Sequence, residues 1–225
     1  LKRRDDSYPL FFNNLLTRDD AIVVKKFESE IEQYEWVAEQ IAINIKEDEL
    51  DPDDILIILP DAYSAKQKYP DISEALLRRE INSHLAGVST MRDVFIVSGS
   101  VTVSGIYRAK GNEAAMIYIV NSEYCVEDTE MIRKRNTLFT AITRSRAWIR
   151  ICGVGTSMDI LINEIQVVQG NNYELPFHIP TQAGLSRIRL INRDRSSEER
   201  AKIKKAQKNI EELTRAIDDG SILPD

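Results

Sequence analysis

Five consecutive apolar residues, Ile55-Leu56-Ile57-Ile58-Leu59, stand between the turn-forming Asp51-Pro52-Asp53-Asp54 and Pro60-Asp61. A run this short, rich in β-branched side chains and closed at both ends by turn chemistry, reads as a strand. Successive strand side chains point to opposite faces, so a strand apolar at every position must be covered on both. The centre of a parallel sheet flanked by helices supplies that environment.

The surrounding sequence is consistent with that sheet. Further strand candidates are Ile22-Val23-Val24, Val94-Phe95-Ile96-Val97, Val101-Thr102-Val103, Met116-Ile117-Tyr118-Ile119-Val120 and Trp148-Ile149-Arg150-Ile151. Helical spacing begins at Ser29, with Ile31, Tyr34, Val37/Ala38, Ile41 and Ile45 on one face, and Ser29 with Glu32 forms a candidate capping box. A second helix is expected over 71–83 with Ile72, Leu76, Leu77 and Ile81 inward, and a third over 157–168, ended by Gly170-Asn171-Asn172. Residues 173–180 read as extended. Strands alternating with helices define an α/β domain with a mainly parallel sheet, and ligands of such sheets gather at strand carboxyl ends. The Arg108–Glu113 loop follows a strand and is expected there.

The expected organisation is an N-terminal extension or linker over 1–20, the α/β domain over 21–183, and a C-terminal segment over 184–225 with an amphipathic helix at 197–219. In that helix Ile203, Ala206, Ile210, Leu213 and Ile217 recur at 3-4 spacing, Ser196 and Glu199 can cap its start, and Gly220 can stop it. The seam spans about two heptads, short of a coiled coil. It can pack on its own domain or a following one, or pair with another chain through 203–217.

Charge is uneven. Residues 1–60 carry 15 Asp and Glu against 7 Lys and Arg, while the remaining 165 carry 21 against 23. A nucleic-acid surface is therefore expected in the later part. Two cysteines, Cys125 and Cys152, are too few for a disulfide framework, and with only His84 and His178 as imidazoles a metal centre is not expected. No apolar run has membrane-spanning length and no signal-peptide pattern opens the chain, so no membrane partner and a cytoplasmic setting are expected. The first residue is Leu, which suggests a piece of a longer chain.

Two short segments carry phosphate chemistry. In Arg108-Ala109-Lys110-Gly111-Asn112-Glu113 a glycine permits positive φ and close backbone approach, Lys and Arg supply charge, and Glu113 can accept from sugar hydroxyls. On spacing alone the plainer reading is a strand–turn–strand with solvated cations. In Ala141-Ile142-Thr143-Arg144, near a helix end, a buried stripe of Ile132, Phe139 and Ile142 would turn Arg144 away from the core, near Thr140. Alone, such an arginine is more commonly a surface residue or a partner of the helix dipole.

Together, VTVSGIYRAKGNEAAMIYIV resembles motif V, and RNTLFTAITRSR resembles motif VI, of UvrD/Rep-type superfamily 1 helicases. The resemblance covers roughly residues 22–153 and implies the second RecA-like domain of an ATP-dependent DNA helicase or translocase, a three-layer fold with a C-terminal helical extension. It implies that Arg144 is an arginine finger preceded by Thr143, that Glu113, Gly111 and Lys110 serve the nucleotide, and that Ser104, Tyr107 and Arg108 serve single-stranded or unwinding DNA. The implied cofactor is ATP with Mg2+, the metal ligands coming from an N-terminal RecA-like domain. Tyr107 stands where the family often has His, Gly105 where it often has Thr, and Asn136 where a second Arg is usual. No G-x-x-x-x-G-K-[ST] loop occurs, so this segment alone is expected to hydrolyse ATP poorly or not at all. Two other readings stay open: a non-catalytic interaction module with a helicase-derived fold, and part of an RNA-acting superfamily 1 helicase.

Overall fold

The computed structural model describes residues 17–91, 93–126, 131–171, 174, 179–182 and 196–218. Two compact units emerge, one of residues 1–127 with 134–179, the other of 128–133 with 180–225.

In the larger unit a helical turn, α1 (Arg18–Ala21), runs into β1 (Ile22–Phe27), followed by α2 (Glu30–Lys46), a 3-10 turn at Pro52–Asp54, and β2 (Ile55–Leu59). Helix α3 (Ala65–Leu77), β3 (Ser83–Leu85), β4 (Val101–Gly105), a single turn α4 (Ile106–Ala109) and β5 (Ala114–Ile119) come next. A 3-10 turn (Ser122–Cys125), α5 (Met131–Ile142, of which 131–133 group with the second unit), β6 (Ser145–Val154) and α6 (Met158–Gly170) complete it. All six strands are parallel, in the order β1-β6-β5-β2-β4-β3. The expected α/β architecture with a parallel sheet is what forms.

Strand β2 is buried at every position, as its composition requires. Its Ile55, Ile57 and Leu59 join Val101, Val103, Met116 and Tyr118 under α2 and α3. Leu56 and Ile58 join Ile117, Ile119, Ile149 and Ile151 on the other face, beneath α4, α5 and α6. Period-two alternation thus divides one apolar run between two cores.

Several local expectations shift. Ser29 Oγ accepts from the Glu32 N–H at 3.2 Å, but the Glu32 carboxylate takes the N–H of Glu28 at 3.0 Å, one residue before the cap. Tyr34, Val37, Ala38 and Ile41 are buried as expected; Ile31, in the first turn, is exposed beside a shallow groove shared with Asp71 and Glu74. Helix α3 starts six residues earlier than expected and absorbs Pro70 within it. It therefore ends at Leu77, which is exposed, and frees Ser83 to open β3. Residues 94–97 form no strand. They make one antiparallel bridge, Val97 to Ser100, and the Phe95 carbonyl lies 2.9 Å from Nε2 of the buried His84. The 173–180 expectation and Gly220 fall largely or wholly outside the described residues.

The second unit contains α7 (Ser197–Asp218), whose start has the reciprocal capping box expected. Ser196 N–H donates to the Glu199 carboxylate at 2.8 Å, and Glu199 N–H donates to Ser196 Oγ at 3.2 Å. Ile210, on the expected seam, is exposed. Among the described residues no helix is long and apolar enough to cross a membrane.

Candidate functional site

Strands β4 and β5 both pair with β2, one on each side, so the chain leaving β4 must cross β2 before it can enter β5. Only residues 106–113 are available, fewer than the dozen or more usual for a parallel crossover. The helical turn α4 spends four of them, with Ile106 and Ala109 buried against Leu56 and Ile58. Tyr107 and Arg108 point the other way and are exposed.

Residues 109–112 then close a tight turn. Lys110 has φ −60° and ψ 124°, Gly111 has φ +90°, and the Asn112 N–H donates to the Ala109 carbonyl at 3.0 Å. These are the dihedrals of a type II turn, whose third position favours glycine because φ there is positive. The Asn112 side chain braces it, donating to the Arg108 carbonyl at 3.4 Å.

This geometry corrects the expected placement. Lys110, Gly111 and Glu113 do not sit at the carboxyl end of a strand; they lead into β5 and lie at its amino end. The expectation counted the loop from the strand before it, whereas the crossover has already carried the chain the length of the sheet. Arg108 likewise belongs to a helical turn rather than to a loop.

The same end of the sheet receives Arg144. Ala114 pairs with Ser145, and the Ala114 N–H donates to the Arg144 carbonyl at 3.1 Å. Helix α5 delivers this residue with a buried stripe different from the expected one: Lys134, Leu138 and Ala141 face inward, while Phe139 is 67% exposed. An apolar-only stripe missed Lys134, whose ammonium rests 4.3 Å over the Tyr124 ring while its stem packs inside.

At the end of α5 the Thr143 N–H donates to Phe139 O (3.0 Å) and the Arg144 N–H to Ala141 O (3.1 Å). Thr143 Oγ1 donates to the Thr140 carbonyl (2.9 Å), Arg144 Nε to the same carbonyl (3.2 Å), and an Arg144 terminal nitrogen to Thr143 Oγ1 (3.1 Å). Among the described residues no carboxylate pairs with Arg144 or Lys110, and no cation pairs with Glu113. Arg146, two residues on, is committed to Asp54 at 2.8 Å. The guanidinium of Arg144 is thus oriented by its own helix end while its charge is left for an anion. Thr140, which the helical spacing places near Arg144, aims both side chains through its carbonyl, a role the sequence did not assign to it.

Ser104 stands apart from the other named residues. It is fully buried, its hydroxyl on the Gly105 carbonyl at 3.1 Å, so it offers no surface to a nucleic acid. Gly105 has a packing reason: a Cβ there would lie 3.0 Å from Ala62 Cα.

A parallel sheet covered on both faces, with a basic turn and an oriented arginine at the amino ends of neighbouring strands, defines an α/β domain with a candidate anion site. Residues 100–152 match the model of the UvrD-like helicase C-terminal domain family. That match covers β4, the crossover, β5, α5 and most of β6, the elements that build the site, and is a similarity of this segment to that family. A solved structure described as the C-terminal domain of a possible DNA helicase from Lactobacillus plantarum WCFS1 is 21% identical, covers 65% of this chain and 83% of its own, and has a TM-score of 0.46. No curated protein matches the chain.

Proposed function

We propose that this chain is the second motor domain of an ATP-dependent DNA helicase or translocase, contributing half of an ATP site shared with an N-terminal RecA-like domain. The observation that carries the reading is the meeting of Glu113 and Arg144 at adjacent strand starts, with Arg144 oriented by Thr140 and Thr143 and unpaired with any carboxylate among the described residues. That donor set suits a polyphosphate: a forked cation for phosphate oxygens, a nearby carboxylate for ribose hydroxyls, and Lys110 on a rigid turn.

ATP with Mg2+ supplies the phosphoanhydride whose hydrolysis drives the motor. The chain's own residues have narrower tasks. Arg144 brings positive charge to the γ-phosphate end, Thr143 fixes its orientation, Glu113 holds the sugar, and Lys110-Gly111 form the turn between the nucleotide and the strand-binding surface. The metal's ligands are assigned to the partner domain. Tyr107 and Arg108, at the other end of the crossover, are assigned to the nucleic acid. Shortening or shifting of residues 106–113 would pass a change at one end to the other.

The test is ATP hydrolysis by the full-length protein with and without single-stranded DNA or RNA. DNA-stimulated turnover supports the reading, stimulation by RNA alone transfers it to the RNA-acting branch, and absence of both turnover and nucleotide binding overturns it.

A further inference from the structure

We propose that Tyr63 is a second base-stacking residue, set beside Tyr107 on a single-stranded nucleic-acid surface at the carboxyl ends of β2, β4 and β3; this rests on the reading above and adds a residue to it. Leu59, the last residue of β2, pairs with Gly105, the last of β4. Three residues beyond Leu59, Ala62 lies against Gly105 so closely that a Cβ on the glycine would be 3.0 Å from Ala62 Cα and 3.2 Å from its Cβ. Tyr63 follows Ala62 directly, and Tyr107 is two residues past Gly105, so backbone contact holds the two tyrosines on neighbouring strand ends.

Neither segment is slack. The Tyr63 N–H donates to Asp61 Oδ1 at 3.1 Å, and Ser64 Oγ donates to the Asp61 carbonyl at 2.9 Å, a turn that leads into α3. Yet Tyr63 is 87% exposed and Tyr107 61%. Tyrosine normally buries its ring and leaves the hydroxyl wet; here the Tyr63 ring stands in solvent on fixed backbone, with Tyr107 more than half exposed on the neighbouring strand end.

The neighbouring charges indicate the occupant. Arg108 carries its guanidinium across Gly87, just past the end of β3, where a Cβ would lie 3.2 Å from Arg108 Nε. Lys66 is exposed on the first turn of α3, three residues past Tyr63. Aromatic rings flanked by cations are the composition of a single-strand platform: rings stack on bases whatever their identity, and the cations follow the phosphates. A duplex hides the faces of its internal bases in its own stack, so exposed rings favour an unpaired strand.

The experiment uses the full-length protein and single-stranded oligo(dT). Oligonucleotides carrying 5-iodouracil are photo-crosslinked and the modified peptide is mapped, and anisotropy titrations compare wild type with Tyr63→Ala, Tyr63→Phe and Tyr107→Ala. The expected results are a crosslink on Tyr63, affinity about tenfold weaker in Tyr63→Ala, and near-complete recovery in Tyr63→Phe. A strand that binds without crosslinking to Tyr63, or Tyr63→Ala binding as wild type, overturns the proposal. If Tyr107→Ala still weakens binding, only the role of Tyr63 falls. If the wild-type protein does not bind single strands at all, the motor-domain reading falls with it.

Discussion

The backbone N–H of Ala114 donates to the carbonyl of Arg144 at 3.1 Å, tying the start of β5 to the start of β6. Glu113 precedes the donor, and the acceptor belongs to the arginine itself. Two residues separated by 30 positions in sequence are thus placed side by side by the sheet's own ladder. A ladder bond is among the least mobile contacts a fold can offer, which suits groups that must present fixed charge to a ligand.

Arg144→Ala in the full-length protein should lower strand-stimulated ATP turnover by about 10³-fold or more, the scale of arginine-finger losses, while ATP affinity changes much less. Arg144→Lys should remain strongly impaired, because an ammonium keeps the charge but cannot both hold the Thr140 carbonyl through Nε and present a fork. Steady-state turnover and equilibrium nucleotide binding separate the two effects. Undiminished turnover in the alanine variant removes Arg144 from the catalytic role.

Gly105→Ala should destabilise the domain by about 1–3 kcal/mol, the range for overpacking a close contact. The added Cβ meets Ala62 Cα at 3.0 Å and Ala62 Cβ at 3.2 Å, and part of that obstacle is backbone, which cannot rotate aside. Urea unfolding measures the loss. Pairing the change with Ala62→Gly should recover only the share owed to the Ala62 methyl, giving a non-additive double-mutant cycle. Full additivity contradicts the contact.

The sheet was legible because its evidence is local: five apolar residues bounded by turns can satisfy both faces only at a sheet centre. The candidates Arg144 and Glu113 stand out in the sequence by their chemistry, but their end of the sheet does not. That depended on β4 and β5 flanking β2, a long-range pairing that no local spacing encodes. Phe139 was misplaced for a related reason, since an amphipathic lysine stem took the inward position an apolar pattern assigns to an aromatic ring. Tyr63 carried no signal as a lone tyrosine after a strand; its interest arises from the contact between Ala62 and Gly105. The early start of α3 has no apolar signal, since the helix begins at Ala65 and carries Pro70, a residue that breaks most helices, in its interior.

Alkaline pH should weaken the fold through its thiols. Burial pushes Cys125 up to about 12 and Cys152 up to about 12, from an ordinary value of 9.0. Between those values the native state keeps protons that the unfolded chain releases, so stability is fully present below about pH 9 and declines as pH rises towards 12. Burial raises the Tyr34 and Tyr118 hydroxyls as well, in the same direction. The urea midpoint should fall between pH 9 and pH 11, and Cys152→Ala should flatten that slope while lowering stability at neutral pH. A midpoint that is level or rises over this interval contradicts the prediction.

Gly111→Ala separates conformational strain from crowding at the turn that leads into β5. At φ +90° an L side chain is strained, yet nothing lies within 4 Å of where its Cβ would stand. The cost should therefore be conformational, about 1–2 kcal/mol, and should appear as an earlier urea midpoint with unchanged cooperativity. A turn held by the Asn112 N–H on the Ala109 carbonyl has one way to relieve that strain, which is to break the bond and leave the type II geometry. Lys110 would then move relative to Glu113, whose neighbour Ala114 is fixed by the ladder. In the full-length protein this should impair strand stimulation of ATP turnover more than ATP binding, because the variant loosens the connection between the two ends of the crossover and leaves Arg144 in place. Asparagine accepts positive φ more readily than alanine, so Gly111→Asn should recover part of both losses. Equal stability in all three proteins would show that the turn bears no strain, and equal strand stimulation would remove it from the coupling path.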